Sequence, residues 1–452
     1  MNEQTLNMKT LIYNALIINE GEQFTGSVLI DGEIIQKIFR GEVPEKEKTG
    51  AQLIDATGKY LLPGVIDDQV HFREPGLVYK GDIESESKAA LAGGVTSYME
   101  MPNTIPQTTS INELEKKYSR AAEVSAVNYS FYIGATNDNL KEVLSIDSSL
   151  NCGIKIFMGS STGNMLVDNE KALAEIFRNA HTLVAVHCED EETIKQNLSS
   201  YKEKYGETIP ISRHNKIRSA ESCFKSSSKA VELATKYGTR LHVLHLSTEK
   251  EMSLFAPGHV SDKKITAEVC VHYLWFDDSD YLAMGTQIKW NPAIKTLQDK
   301  KALWEALLSD KIDVVATDHA PHTLDEKANP YLKAPSGGPL VQHSLTAMLE
   351  FVAQGKISIE KVVGKMCHAP ADLFRIDRRG YIRENFYADL VLIDPNKKWT
   401  VRPENILYKC GWSPFKGVTF SNQVEKTFVN GQLGYDRGTL LPTIGKRLTF
   451  NL

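Results

Sequence analysis

The sequence predicts an α/β fold: a (β/α)8 TIM-like barrel with a small β-sandwich domain built from both chain ends. Through the middle of the chain, short apolar runs rich in β-formers alternate with amphipathic helical stretches, the pattern of βα units around a parallel sheet. Strand-like segments with turn signals open and close the chain. Its 452 residues, 42% of them apolar, are enough for one large core and a smaller second one.

Both ends of the chain are predicted to be β structure. The opening segment reads "LIYNALIIN" and then "GSVLIDGEIIQKI", in which Asp-Gly between alternating apolar runs indicates a hairpin. The closing segment has "YADLVLIDP" and "VEKTFVNGQLGY", again short strands separated by turn residues. We expect residues 1–60 and 385–452 to pair as one β-sandwich domain around a catalytic barrel of residues 61–384.

The predicted barrel has eight strand runs. In order they are "KYLLPGVID", "VTSYMEM", "NYSFYIGA", "GIKIFM", "TLVAVHC", "RLHVLHL", "KITAEVCVHYL" and "IDVVATD". Ser110 with Glu113 predicts a capping box at one intervening helix, and Gly93-Gly94 predicts the end of another. The stretch "DEKANPYLKAPSGGP" reads as a loop long enough to cover an active site.

Composition excludes several classes of function. Net charge is -5, from 52 Lys+Arg against 57 Asp+Glu, so there is no basic field for nucleic acid and no polybasic segment for a membrane. Acidic and amide residues interrupt the apolar runs of "MNEQTLNMKTLIYNALIINEGE", which fits neither a signal peptide nor a spanning helix. Six scattered cysteines without a CxxC pair favour reduced thiols. The expected location is the cytoplasm.

Metal-binding residue types recur at the carboxyl ends of the predicted strands, where barrel enzymes carry their active sites. A single histidine at such a place is more often a core or loop residue, but several on one rim favour a metal site. Zinc binds imidazole nitrogen and carboxylate oxygen, and a catalytic site keeps one position open for water. The candidates are His71, Lys155, His187, His245 and Asp318.

The sixth run contains two histidines, His242 and His245. Residues an odd number apart on a strand face opposite sides, so this pattern lets only one of the two point into the barrel. We choose His245 because it lies nearer the rim.

Lys155 is unusual because it lies inside the apolar run "GIKIFM". One interpretation is a lysine whose stem is buried and whose amine reaches water. The other is that burial beside a metal lowers its pKa and leaves a neutral amine, which could take up CO₂ as a carbamate and bridge two metals.

Further polar residues at the strand ends suggest a substrate site. Asp318, in "ATDHAPHT", could bind metal and carry a proton from water to a leaving nitrogen, and His322 follows on the same loop. Arg73 and Asn103 are suited to hold a carboxylate, although a surface ion pair and a turn asparagine are commoner roles. Asn291 is similarly open between a turn and a site residue.

At these residues the chain resembles the metal-dependent amidohydrolase superfamily and, within it, the dihydroorotase family. The resemblance runs from about Leu11 to the "FVNGQ" segment. "PGVID" and "ADLVLID" occur across the superfamily, whereas "HFREPG" together with "TDHAPH" is specific. The other motifs that carry it are "MEMPNT", "VAVHCED" and "LHVLHLST".

The resemblance implies a zinc enzyme that interconverts L-dihydroorotate and N-carbamoyl-L-aspartate in de novo pyrimidine synthesis. It implies that Asp318 shuttles the proton, that Arg73, Asn103 and His322 hold the substrate carboxylate, and that Asn291 contacts the ring. The implied metal ligands are His71, His187, His245, Asp318 and a carboxylated Lys155.

Gln69 departs from the family pattern, which has histidine at this place and again two residues later. Since an amide oxygen is a weaker zinc ligand than imidazole, we expect one firmly held zinc ion, and the sequence leaves open whether a second, weaker one binds. Two alternatives stay open: another cyclic amidohydrolase of hydantoinase or allantoinase type, and a non-catalytic dihydroorotase-like subunit that supports aspartate transcarbamoylase. The expected partners are a small-molecule substrate and further copies of the chain.

Overall fold

The computed structural model describes residues 9–159 and 165–452; residues 1–8, which begin the N-terminal segment considered above, lie outside it. The strands are β1 (Thr10–Asn19), β2 (Glu22–Asp31), β3 (Ile34–Phe39), β4 (Gln52–Asp55), β5 (Tyr60–Pro63), β6 (Val65–Val70), β7 (Val95–Glu100), β8 (Asn128–Phe131), β9 (Ile133–Gly134), β10 (Ile154–Phe157), β11 (Val184–His187), β12 (Leu241–Val243), β13 (Ile265–Cys270), β14 (Val314–Ala316), β15 (Leu390–Asp394), β16 (Trp399–Thr400), β17 (Thr419–Phe420), β18 (Gln423–Val429), β19 (Gln432–Asp436) and β20 (Thr439–Leu440).

Helices separate the central strands, as the alternating pattern predicts. They are α1 (Glu45–Lys48), α2 (Ile83–Ala92), α3 (Ile111–Val124), α4 (Leu140–Leu144), α5 (Glu170–Asn179), α6 (Glu191–Tyr205), α7 (His214–Ile217), α8 (Ala220–Tyr237), α9 (Val271–Trp275), α10 (Tyr281–Met284), α11 (Leu297–Leu308), α12 (Leu324–Lys327), α13 (Ser344–Ala353), α14 (Ile359–Val363) and α15 (Ala369–Phe374). Among the described residues, no helix is both long and apolar enough to cross a membrane.

The central strands pair in parallel in two sheets, β6-β7-β8 and β9 to β14 in sequence order. Only Tyr132 separates β8 from β9, and its N–H donates to Glu100 O at 3.0 Å. The ring closes where His71 N–H donates to His319 O at 2.7 Å, beside a parallel bridge between Val70 and His319. All eight predicted runs contain a strand of this ring, as a (β/α)8 barrel requires, although the end of the seventh forms α9.

A nine-stranded sheet joins the two chain ends, in the order β20-β19-β18-β15-β5-β1-β2-β3 with β4 beside β1. The predicted turns at Asp31-Gly32 and Asn430-Gly431 connect β2 to β3 and β18 to β19. The first predicted barrel run divides at Gly64, with β5 in this sheet and β6 in the ring. A Cβ at Gly64 would lie 2.0 Å from Thr96 Oγ1, so the close packing against Thr96 favours glycine at this position.

The helix ends follow their sequence signals. Ser110 caps α3 by accepting from Glu113 N–H, although only this half of the predicted capping box forms. Helix α2 ends at Gly93, and Gly94 has a φ of 82°. Ile66, Met99 and Val314, on three strands of the ring, belong to one buried apolar cluster. Polar side chains that could bind a ligand must therefore lie elsewhere in the barrel or at its rim.

Candidate active site

A pocket lies at the carboxyl ends of the barrel strands. Its wall includes Gln69, Phe157, Ser336 and Gly337. The sequence pattern did not identify Phe157, Ser336 or Gly337 as site residues. The structure brings eight of the nine predicted site residues to this wall: His71, Arg73, Asn103, Lys155, His187, His245, Asn291 and Asp318. The ninth, His322, lines an adjoining cavity together with Arg73 and Asn103.

Lys155 on β10 and His187 on β11 converge with His245, which lies two residues after the end of β12. His187 Nδ1 lies 3.0 Å from His245 Nε2. Lys155 is 1% exposed, and its Nζ has no hydrogen-bond partner among the described residues. Burial lowers the pKa of Lys155 to about 7, so a large fraction of the amine is neutral near neutral pH. Two facing imidazole nitrogens and an unpaired amine are a donor set that fits a zinc ion.

His187 is oriented from behind by Glu189, which sequence reasoning missed. His187 Nε2 lies 3.2 Å from Glu189 Oε2, and Arg218 donates to the same oxygen. Burial alone would raise the pKa of Glu189, but Arg218 and His187 lower it to about 2. The ionised carboxylate therefore favours a proton on His187 Nε2 and leaves Nδ1 as the ligand atom.

His71 and Asp318 meet on the opposite side of the pocket. His71 Nδ1 lies 2.7 Å from Asn103 Oδ1, so Nδ1 carries the proton and Nε2 presents a lone pair. That Nε2 lies 3.1 Å from Asp318 Oδ1, to which Gln69 Nε2 donates at 3.2 Å. Burial raises the pKa of Asp318 to about 7 and lowers that of His71 well below its usual value. The neutral imidazole of His71 and the carboxylate of Asp318 are ligands that suit a second cation. The neighbouring side chain is the amide of Gln69, at the position where the family pattern has a histidine.

Three of the site residues hold a left-handed backbone. The φ angles are 72° at Arg73, 43° at His245 and 48° at Asp318. Such angles are unfavourable for residues other than glycine and cluster at functional sites, where the surrounding structure enforces them. Here they turn the side chains into the pocket directly after the strands end.

Arg73 is a buried cation, 4% exposed, with no carboxylate within 4 Å among the described residues. Its Nε donates to Pro321 O at 3.0 Å, and its Nη2 lies 3.1 Å from His322 Nε2. His322 in turn contacts Lys80 Nζ at 2.9 Å. Burial lowers the pKa of Arg73 to about 10, so the guanidinium keeps its charge. A buried cation without a carboxylate partner among the described residues is suited to bind an anionic ligand group.

Asn291 faces the same space from the segment after β13. Its Oδ1 is buried and has no hydrogen-bond partner within the described parts of the chain. It can therefore accept a hydrogen bond from a ligand N–H.

The expectation that only one of His242 and His245 faces the barrel interior is wrong. His242 also points inward, since its Nε2 lies 3.1 Å from Asp68 Oδ2 on β6. The parity rule fails because β12 ends at Val243, and the left-handed backbone at His245 then redirects its side chain.

Comparison with known proteins agrees with this geometry. The sequence model described as "Amidohydrolase family" matches residues 60–434. This chain belongs to the amidohydrolase family. The amidohydrolase is 34% identical to a dihydroorotase of Halobacterium salinarum over 402 residues, covering 86% of this chain and 91% of that protein. It is 31% identical to a dihydroorotase of Staphylococcus aureus over 440 residues, covering 94% and 99%.

Solved structures give the same fold. The amidohydrolase superposes on an L-hydantoinase (dihydropyrimidinase) from Arthrobacter aurescens with a TM-score of 0.91 and 25% identity, covering 97% of this chain and 99% of that one. For a dihydropyrimidinase from Brevibacillus agri the TM-score is 0.88 and the identity 25%, with coverages of 98% and 100%. The superfamily is metal-dependent, in agreement with the donor sets of the pocket.

Proposed function

We propose that this chain catalyses the reversible hydrolysis of the cyclic amide of L-dihydroorotate to N-carbamoyl-L-aspartate, a step of pyrimidine nucleotide synthesis. The relatives named dihydroorotase, at 30–34% identity over 86–94% of the chain, support this reaction. The observation that carries it is Arg73, buried without a carboxylate partner among the described residues and lining the same pocket as His71 and Asp318. Dihydroorotate brings a carboxylate to that cation, whereas hydantoin has none.

The pocket residues divide into two metal sites in this proposal. Lys155, His187 and His245 would hold the firmly bound zinc ion, with Lys155 serving as a ligand in its carbamate form. His71 and Asp318 would hold a second ion more weakly, because Gln69 presents an amide to Asp318 instead of an imidazole to the metal. When bound, zinc polarises the amide carbonyl and makes a water molecule more acidic.

The protein's own groups then position the substrate and move the proton. Arg73 and His322, with Asn103, would hold the carboxylate, and Asn291 Oδ1 would accept the ring N–H. Asp318, buried in the pocket with its Oδ1 3.1 Å from His71 Nε2, would take a proton from the attacking water and deliver it to the ring nitrogen as the amide bond breaks.

A comparison of substrates tests the function. The purified, zinc-supplemented protein should open the ring of L-dihydroorotate and leave hydantoin unchanged. Turnover of hydantoin alone would replace the proposal with a hydantoinase. If the protein contains no zinc and turns over neither substrate after zinc is added, the result favours a non-catalytic subunit. Gln69, where the family pattern has a histidine ligand, is consistent with that alternative.

We also propose that the two chain ends act as one accessory β-sandwich domain beside the barrel, with its boundary moved from the predicted residue 60 to Pro63, because β5 lies in the sheet of the chain ends. The pairing of β15 with β5 supports it, because this contact joins strands from the two ends of the chain.

A further inference from the structure

A second group of metal-binding side chains lies inside the barrel, outside the pocket. Asp68 on β6, His242 on β12 and Glu268 on β13 each offer one ligand atom, and these atoms lie within 4.8 Å of one another. His242 Nε2 is 3.1 Å from Asp68 Oδ2 and 3.8 Å from Glu268 Oε2. All three residues are 0% exposed, so water does not solvate the carboxylates.

The tautomer of His242 is set by Thr266. The hydroxyl of Thr266 donates to Leu241 O at 3.1 Å, so its oxygen accepts from His242 Nδ1, which lies 2.8 Å away. The proton of the neutral ring is therefore on Nδ1. The lone pair on Nε2 then points at two carboxylate oxygens, an arrangement that is repulsive unless a cation lies between them.

Glu268 divides its two oxygens between two layers of the barrel. Oε1 accepts from the backbone N–H of His245 at 2.8 Å and from Cys270 Sγ at 3.4 Å. Oε2 has no hydrogen-bond partner among the described residues, and neither do His242 Nε2 and both carboxylate oxygens of Asp68. Buried polar atoms are rarely left unpaired, and here three residues each have such an atom within 4.8 Å of the other two.

Either a proton or a metal ion could supply the missing positive charge. Although burial lowers the pKa of His242, Asp68 raises it to about 9, so an imidazolium is the competing occupant. A single proton would leave two carboxylates and one imidazolium, a net charge of about -1 in a site without solvent, and only a second proton on Glu268, whose pKa burial raises, would remove that charge. A divalent ion with a neutral imidazole gives zero net charge.

The spacing also suits a metal ion. Ligand atoms at about 2.0–2.2 Å from tetrahedral zinc lie about 3.3–3.6 Å apart. The two separations from His242 Nε2, 3.1 and 3.8 Å, bracket that range. One imidazole and two carboxylates form a nitrogen and oxygen set that suits zinc or manganese.

We propose that Asp68, His242 and Glu268 bind a divalent metal ion, separate from the ions of the pocket, that ties three barrel strands together beneath the active site. This site goes beyond the proposed function, since it does not depend on which substrate the pocket binds. Asp68 directly precedes Gln69, so the chain has a carboxylate for the deeper site next to the position where it lacks the family's imidazole.

Metal counting tests the proposal without an activity assay. The wild type and variants are loaded with ZnCl₂, desalted, and measured for zinc per chain. The double variant His187→Ala, His245→Ala, which disrupts the pocket, should retain about one equivalent. Asp68→Asn should hold one equivalent fewer than the wild type. The matched control is Asp313→Asn, which makes the same change at a buried aspartate paired with Lys263 and should keep the wild-type count.

A double variant that retains no zinc, or an Asp68→Asn protein that binds as much as the wild type, would overturn the proposal. If the variants do not fold, anomalous diffraction at the zinc edge from wild-type crystals decides. A peak among Asp68, His242 and Glu268 is expected, and peaks confined to the pocket would show that a proton occupies the deeper site.

Discussion

At the residue scale, Arg73 distinguishes a carboxylate-bearing substrate from a neutral ring. Its guanidinium is buried and charged, contacts Pro321 O and His322 Nε2, and lines the pocket. We expect Arg73→Ala to raise KM and lower kcat/KM by about 30- to 150-fold, because a hydrogen bond to a charged group contributes about 2–3 kcal/mol. Steady-state kinetics on L-dihydroorotate measures this.

Arg120→Ala is the matched control, since Arg120 is a partly exposed arginine that pairs with Glu74 at 2.8 Å outside the pocket. Its kinetics should equal those of the wild type. An unchanged KM in Arg73→Ala would remove Arg73 from the carboxylate site.

Asp318 gives the second residue-scale prediction. Asp318→Asn keeps the shape of the side chain, and asparagine tolerates the left-handed backbone of 48° at this position, so the fold should persist. Without a group that can accept the proton, kcat should fall by about 10²–10⁴-fold. Initial rates are measured beside thermal melting. A variant that melts like the wild type and retains near-full activity would exclude Asp318 from proton transfer.

The sequence predicted most of the polar residues that reach the pocket, because they lie in or shortly after recognisable buried strands; Asn291, between α10 and α11, is the exception. The sequence could not predict the deeper cluster. The parity rule excludes His242, but this rule holds only while a strand continues, and β12 ends one residue after His242. Glu268 has a sequence signal of its own, since it is a lone acidic residue inside the apolar run "KITAEVCVHYL".

At the element scale, the predicted loop of residues 325–339 begins with the last three residues of α12, and Ser336 and Gly337 farther along it line the pocket. Two buried lysines hold this loop through hydrogen bonds to its backbone carbonyl groups. Lys327 Nζ donates to Gly337 O at 2.7 Å and to Pro335 O at 3.0 Å. Lys289 Nζ donates to Tyr331 O and Ala334 O, both at 2.6 Å. Only the folded chain brings these carbonyl groups to the lysines.

Lys289 should make stability depend on pH. Burial, with Arg218 nearby, lowers its pKa to about 8 from an ordinary value of 10.5. Between these pH values the unfolded chain binds more protons than the folded one, so the free energy of unfolding should rise with pH. The rise is about 3 kcal/mol at most. Lys289→Met should flatten it, as measured by urea unfolding from pH 7.5 to 10.5.

Lys333→Met, a change at an exposed lysine of the same segment, serves as the control and should keep the wild-type slope. The slope is the deciding quantity, since Lys289→Met also removes two hydrogen bonds and lowers stability at every pH. Equal slopes in Lys289→Met and the wild type would show that Lys289 does not titrate in this range.

At the scale of the whole molecule, the sheet from the chain ends is joined to the barrel by a buried polar network. Asn128 on β8 donates to Asp389 Oδ2 at 3.1 Å, and Asn430 N–H donates to Asp389 Oδ1 at 2.8 Å. Arg379 pairs with the same carboxylate. The sequence predicted that the two ends would pair, from their strand and turn patterns. It gave no strand order, because which strands become neighbours depends on long-range packing.

This network predicts that barrel and sheet unfold together. Asp389→Ala leaves Arg379 buried, 4% exposed, without its carboxylate, and a broken buried pair of this kind costs about 3–5 kcal/mol. Asp31→Ala, at a solvent-exposed pair with Lys9 in the same sheet, should cost less than about 1 kcal/mol. Urea unfolding followed by tryptophan fluorescence and far-UV circular dichroism should show coincident transitions in the wild type. Separate transitions in the wild type would mean that the sheet unfolds as an independent unit. Equal losses of unfolding free energy in the two variants would mean that Asp389 does not couple the sheet to the barrel.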